Sequence, residues 1–310
     1  MKGLELAKKY YFEIGRPAIE RELPEVLPLL AAGLCGDGSD VLGYDDEFSA
    51  DHDFGPGFCL WLDDNVYEQY GERLQQIYDS LPGAFAGSAA RENTSEAGKR
   101  VGVFRLGSFF EQFTGSSLPP ETVADWAKPE EPRLAQITGG AVFEDGPGIF
   151  TAFRDILAGY YPEPLRIDRI LSEVHLVSQS GQYNYARCME RGDVMAANIC
   201  LHEFLRHTIH LVHLLDRKYE PYYKWRWRSF TELPDAKSMV RPLTHLSELP
   251  PSVDAWTGSH GQDLNYKDEK VLLIETVCRD LVAVLKDQGL TDRNDSFLEA
   301  HLGTIATHLR

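Results

Sequence analysis

The chain has 310 residues, 43% of them hydrophobic and 11% aromatic, enough to bury a core in two domains of ordinary size. Its 48 acidic residues outnumber the 31 basic ones, for a net charge of −17. That balance argues against a nucleic acid partner, because phosphates demand a basic footprint, and it favours a small molecule or a protein.

In chain order, Leu4, Ala7, Tyr11 and Ile14 fall at helical spacing, and Pro17, Pro24 and Pro28 punctuate the next segment. LLAAGLC (29–35) and the aromatic-rich FCLWLDD (58–64) predict strands. Asn65 and Glu68 have capping-box spacing ahead of an amphipathic helix through Tyr70, Leu74, Ile77 and Leu81. RVGVFRL (100–106) predicts a third strand, and GSFFEQFTG a short helix. Residues 115–150, rich in Pro and Gly, read as a connector. Helical patterns then cover 165–174, 183–219 with an interruption at Gly192, 267–288 and about 295–309, with a Pro-rich loop over 231–264. No run approaches the roughly 20 apolar residues of a membrane span. The opening MKGLELAKKYYFEIGRP lacks the features of a signal peptide. The five cysteines form no CxxC pair and read as mostly buried free thiols, so a cytoplasmic location is expected.

The stretch GDGSDVLGYDDEFSADHDFGPGF (36–58) concentrates the chemistry. Gly38-Ser39 after a strand makes a tight turn whose bare backbone can approach phosphate oxygens. Asp51 and Asp53, at i and i+2 on a strand, would point to one side, where two carboxylates suit a hard cation such as Mg²⁺ (or Mn²⁺). A plain solvated turn is the bland alternative, and the spacing does not fit a calcium loop. Gly-Ser, a gap of eleven residues, then Asp-x-Asp resembles the signature of the polymerase-β-like nucleotidyltransferase superfamily. More narrowly, LCGDGSDVLGYDDEFSADHDFGP, together with FEDGPG (143–148), YYP (160–162) and KYEPYYKW (218–225), resembles a bacterial nucleotidyltransferase-like family of unassigned function.

That resemblance implies transfer of a nucleotidyl group from an NTP, with ATP the first choice, to a hydroxyl of a small-molecule or protein acceptor. It also implies a third metal carboxylate on the strand after the motif. The matching position is Gly102, which has no side-chain oxygen. Either another acid such as Glu111 reaches the site, or the protein binds nucleotide as a regulator without transferring it.

In the helical half, RKYEPYYKWRWRSF (217–230) interleaves cations and aromatics. Lys218, Tyr219 and Lys224 are candidates to hold phosphates and base, against the alternative of a helix end with core aromatics. LHEFLRHTIHLVH (201–213) places Glu203, His207 and His210 on one face, a candidate zinc set, and pairs Arg206 with His213 at the loose spacing of a toxin-type ribonuclease. Its bland reading is a polar face lining a cleft, in which Glu203 is a candidate general base. Asp193 is a weaker candidate for that role, and Asp216 is expected to pair with nearby cations. The expected architecture is α+β: a nucleotidyltransferase-like mixed sheet with helices (1–120), a connector (121–150) and a mostly α-helical domain (151–310).

Overall fold

The computed structural model describes residues 1–48, 54–89, 99–257 and 264–309. The fold is α+β, and the chain divides into two compact units, Met1–Tyr160 and Tyr161–Arg310.

The first unit is built on a four-stranded mixed sheet: β1 (Leu30–Leu34), β2 (Cys59–Leu62), β3 (Gly102–Arg105) and β4 (Ala141–Asp145), ordered β3-β2-β1-β4. β1 pairs antiparallel with β2 and β4, and β2 pairs parallel with β3. Side chains alternate across the sheet. Leu30, Ala32, Leu60, Leu62 and Val103 pack into one core cluster with Tyr10, Tyr11, Ile19, Leu74 and Ile77. On other sheet positions, the Trp61 ring stacks on Phe150 at 3.9 Å between centroids. Phe110 stacks on Phe153 at 3.7 Å.

The opening helix runs further than its prolines suggest. α1 (Gly3–Tyr10) widens into a π turn (Tyr11–Gly15) and continues as α2 (Arg16–Glu22) with Pro17 in its first turn. The extra residue in the turn relieves the carbonyl clash that a proline ring makes in a regular helix. After a 3₁₀ segment come β1, the short α3 (Ser39–Leu42) and then β2. α4 (Asp64–Asp79) starts earlier than the Asn65/Glu68 capping box places it. Asp63 is the N-cap and accepts from the Asn65 backbone N–H at 3.0 Å, which leaves Glu68 to pair with Arg105.

Along β3, an edge strand, the outward backbone groups of Val103 are met by side chains. Its N–H donates to Gln75 Oε1 at 3.0 Å, and its carbonyl accepts from Lys99 Nζ at 3.0 Å. α5 (Leu106–Thr114) comes next. The segment expected as a connector is instead structured: α6 (Val123–Trp126), α7 (Glu131–Thr138) and β4 belong to the first unit, and β4 completes its sheet beside β1. α8 (Ile149–Ala158) closes the unit.

The second unit is helical. α9 (Glu163–Val177) packs along α11 (Val194–Leu215). Between them lie a π-helical stretch, Ser178–Tyr185, and α10 (Ala186–Glu190). Gly192, at φ +73°, makes the expected break. α11 ends in a Schellman-type turn in which Lys218 N–H bonds the His213 carbonyl at 3.0 Å and Arg217 takes φ +51°. α12 (Tyr223–Thr231) comes after it. The segment read as loop holds α13 (Val240–Glu248), and then come α14 (Glu269–Asp287) and α15 (Leu302–Ile305) within two 3₁₀ turns. Asp268, fully buried, caps α14 through Lys270 N–H at 2.9 Å and accepts from Tyr185 Oη at 2.9 Å and Trp256 Nε1 at 2.8 Å. Three donors compensate that buried carboxylate.

Candidate functional site

Three stretches meet at one end of the first unit's sheet. β1 runs out at Leu34 into the Gly36–Ser39 bend. Because β2 is antiparallel to β1, with Gly33 opposite Cys59, the chain entering β2 through Phe54–Phe58 arrives at that same end. Because β3 is parallel to β2, with Cys59 opposite Gly102, the chain entering β3 through Lys99–Val101 arrives there too.

The bend is fixed by its neighbours. Gly38 has φ +135°, and a Cβ there would overlap the Arg100 guanidinium and the Asp40 carboxylate. Arg100 donates to the Asp37 carbonyl and lies 3.5 Å from Asp40 Oδ1. Asp40 is buried and also accepts from the Val41 N–H at 3.0 Å. From α7, Gln136 Nε2 and Arg133 donate to Asp37 Oδ1 at 2.7 and 3.2 Å. Farther along, Gly140 N–H bonds the Val41 carbonyl at 2.7 Å, and Arg154 of α8 caps the Thr138, Gly139 and Gly140 carbonyls. Ser39 stays half-buried at the start of α3. The result is a rigid turn with two arginines beside it, in an otherwise acidic chain.

Asp51 and Asp53, the expected metal ligands, lie outside the described residues. A carboxylate pair has the right donor chemistry for Mg²⁺. Among the described residues, no group of three or more His, Cys, Asp or Glu side chains could hold a metal ion. Asp40 does not substitute, since Arg100 and the Val41 N–H already engage it.

Gly102 begins β3 at φ +119°. A Cβ there would lie 2.5 Å from Lys99 Cε and 3.0 Å from Lys99 Nζ. An ammonium therefore occupies the space beside the position expected for a third carboxylate. Burial lowers the pKa of Lys99 from its ordinary value, partly offset by Asp79 and Cys59. Glu111 is exposed on α5 and bonds no partner in the bend.

In the second unit, Lys218 is exposed, 3.8 Å from Glu232. Tyr219 is buried against Tyr161, edge to face at 5.1 Å. Lys224 is exposed on α12 with its ammonium 5.1 Å from the Trp225 ring. Buried Glu220 pairs with Arg226 at 2.9 Å, and Arg217 with Glu163 at 2.7 Å. Lys218, Lys224 and Tyr223 are accessible, as are Arg217, Arg228 and Trp227 of the same segment. Asp216 accepts from the Asp235 N–H at 3.1 Å, in place of the expected ion pair, and Asp193 is the N-cap of α11.

The histidine-rich helix is organised by a residue that carries no motif in the sequence. Glu173, 8% exposed on α9, receives His207 Nδ1 at 2.6 Å on one carboxylate oxygen and His210 Nδ1 at 3.0 Å on the other. Burial acts to raise the Glu173 carboxyl, but the two histidine hydrogen bonds outweigh it and hold the group at about 2. Its one signal in the sequence is a lone carboxylate in the apolar face of Ile170, Val174 and Val177. Glu203 is half-exposed, 2.7 Å from Arg206 and 3.2 Å from His207 Nε2. Arg206 first, then burial acting the other way, then His207 leave its carboxyl below the ordinary value, which makes it a weak base. The Arg206/His213 pairing is not formed. His213 is fully buried, with Nδ1 on the Ile209 carbonyl at 2.8 Å and Nε2 on Ser229 Oγ at 3.0 Å, while Arg206 faces outward to Glu203.

Residues 126–226 match the family described as a domain of unknown function, DUF4037. The match begins at the end of α6 and ends just past Lys224, so it takes in the last 35 residues of the first unit (126–160) and the histidine helix. A solved structure of a nucleotidyltransferase-like protein from Exiguobacterium sibiricum 255-15 is similar over 94% of this chain and 90% of that one, at 11% identity and a TM-score of 0.36. At that similarity no residue role carries across. No curated protein matches the chain. No described helix is long and apolar enough to cross a membrane.

Proposed function

We propose that the chain is a nucleotide-binding protein of nucleotidyltransferase type, moving an NMP from an NTP, ATP first, to a hydroxyl of a small molecule or protein. One observation carries this reading: the Gly38-Ser39 bend, the approach to β2 that comes after Asp51 and Asp53, and the start of β3 share one end of the sheet. In this reading Ser39 and the backbone at Gly38 bind the β- and γ-phosphates, with Arg100 and Arg133 offsetting charge nearby. Asp51 and Asp53 hold Mg²⁺ (or Mn²⁺), which when bound neutralises the polyphosphate and favours displacement at the α-phosphorus. On the second unit, Lys218 and Lys224 are candidate phosphate contacts and Tyr219, packed on Tyr161, a candidate base contact. Glu203, a weak base, would orient an acceptor hydroxyl more than it would deprotonate it.

A second reading has its own observation. With Lys99 beside Gly102, the protein binds nucleotide without transferring it. Calorimetric titration of the four NTPs with and without Mg²⁺, then transfer of α-labelled ATP, separates the two. Metal-dependent binding with pyrophosphate release that is lost in Asp51→Asn supports transfer. Metal-dependent binding without release selects the regulator. Absence of binding, or transfer that survives Asp51→Asn, sinks the proposed site. Lys218→Ala and Lys224→Ala are each expected to weaken NTP binding by about tenfold if they contact phosphate, in line with a charge-assisted hydrogen bond.

A further inference from the structure

The end of the sheet away from the Gly36–Ser39 bend carries a hollow. β2, β3 and β4 all leave the sheet at that end, β2 towards α4 at Asp63, β3 into α5 at Leu106 and β4 towards α8 at Ile149. Between these exits lies a cavity of about 370 Å³, the size of a small-molecule site. Its floor is apolar: Leu106 is buried, and Phe153 is buried and stacks on Phe110 at 3.7 Å. Ile149 and Ile156 share a face of α8 with Phe153, and Leu118 closes in from the segment after α5. Ile149, Ile156 and Leu118 are 44%, 45% and 70% exposed, apolar surface that a ligand would take out of water.

Charge decides which ligand. Among the described residues, the ionisable side chains lining the cavity are Asp63 and Asp64, both exposed. Asp63 engages Oδ1 with the Asn65 N–H. Arg105 lies 3.7 Å from Asp64, but it is bound to Glu68 and sits over the Tyr67 ring, outside the lining. The first turn of α5 adds about half a positive charge, less than two carboxylates carry. We propose that the cavity binds an amphiphilic organic cation, a primary amine on an alkyl chain or an aromatic ring. The ammonium sits at Asp63 and Asp64, and the apolar body lies against Phe153, Ile149, Ile156 and Leu118. No residue of the bend lines the cavity, so this site is separate from the one proposed for nucleotide.

The test uses the full chain and needs no nucleotide, so its outcome is independent of the reading above. Calorimetry and saturation-transfer NMR with n-hexylamine, a cation at neutral pH, are expected to show saturable binding at one equivalent per chain. Affinity should rise about fourfold per methylene from butylamine to octylamine, the gain from burying each CH₂. Hexanoate, of equal length and opposite charge, should bind about tenfold more weakly. Asp63→Asn keeps an N-cap for α4 and should weaken hexylamine about fivefold. Ala152→Phe fills the cavity from an exposed position on α8 and should abolish binding. Thermal melts establish that both variants fold. Equal binding of hexanoate and hexylamine, affinity that ignores chain length, or binding that survives Ala152→Phe would each overturn the proposal. So would the absence of saturable hexylamine binding to the unmutated chain.

Discussion

Lys99 fills the space that a side chain at Gly102 would need, its Cε only 2.5 Å from where a Cβ would stand. The lysine is held there by bonds to Gln75 Oε1 and to the Val103 carbonyl. A third carboxylate cannot be supplied at that position without rebuilding this contact.

Gly102→Asp is therefore expected to fail as a restoration of catalysis. The aspartate would need φ +119°, which side chains rarely adopt, and would displace Lys99. Urea denaturation should show a loss of about 1–3 kcal/mol, with no gain in nucleotidyl transfer. A variant as stable as the parent and more active would contradict the steric block at β3.

Gly38→Ala attacks the bend directly. Its φ of +135° and the overlap with Arg100 and Asp40 predict a cost of about 1–3 kcal/mol. Arg100→Ala leaves the backbone permitted but frees the Asp37 carbonyl and Asp40, and should weaken NTP binding more than it lowers Tm. Calorimetry and thermal melts on both variants separate the two effects.

Much of this was legible in the sequence. β1, β2 and β3 follow from apolar runs bounded by turn residues, and the Gly192 break falls where a glycine with positive φ interrupts a helical pattern. β4 was missed because Ala141–Asp145 is half-exposed and ends in two acids, so it has no buried-strand signal. Its place comes from pairing with β1 across more than a hundred residues. Arg100 and Gln136 were missed for the same reason, since both reach Asp37 from distant sequence. The zinc and ribonuclease readings of residues 203–213 erred because helical spacing tells which side chains share a face but not what faces them. Glu173 takes His207 and His210, and the interior takes His213.

The His207–Glu173–His210 cluster predicts acid sensitivity. The Glu173 carboxyl is at about 2 in the folded protein against 4.5 ordinarily, so its contribution is fully present above pH 4.5. That contribution is lost as pH falls from 4.5 towards 2 and is on the order of 3 kcal/mol. Glu173→Gln should be less stable at pH 7, and its stability should fall less steeply over that acid range. Equal slopes for the two proteins would show that the cluster does not set the acid limit.

Asp268 predicts a large effect from a small change. In Asp268→Ala, Tyr185 Oη and Trp256 Nε1 lose their acceptor in a buried setting and α14 loses its cap. The expected cost is about 3 kcal/mol, read as a lower urea midpoint and a shift in tryptophan fluorescence. A change under about 1 kcal/mol would mean that water replaces the carboxylate.

The side-chain pairing of Val103 reaches beyond the site. An outermost strand ordinarily offers free amides and carbonyls to any extended peptide that drifts past. Here Gln75 and Lys99 answer the mid-strand donor and acceptor before a foreign chain could. Gln75 belongs to α4, which packs on β3, so this helix and the lysine together shield that flank of the sheet from strand addition and edge-to-edge aggregation.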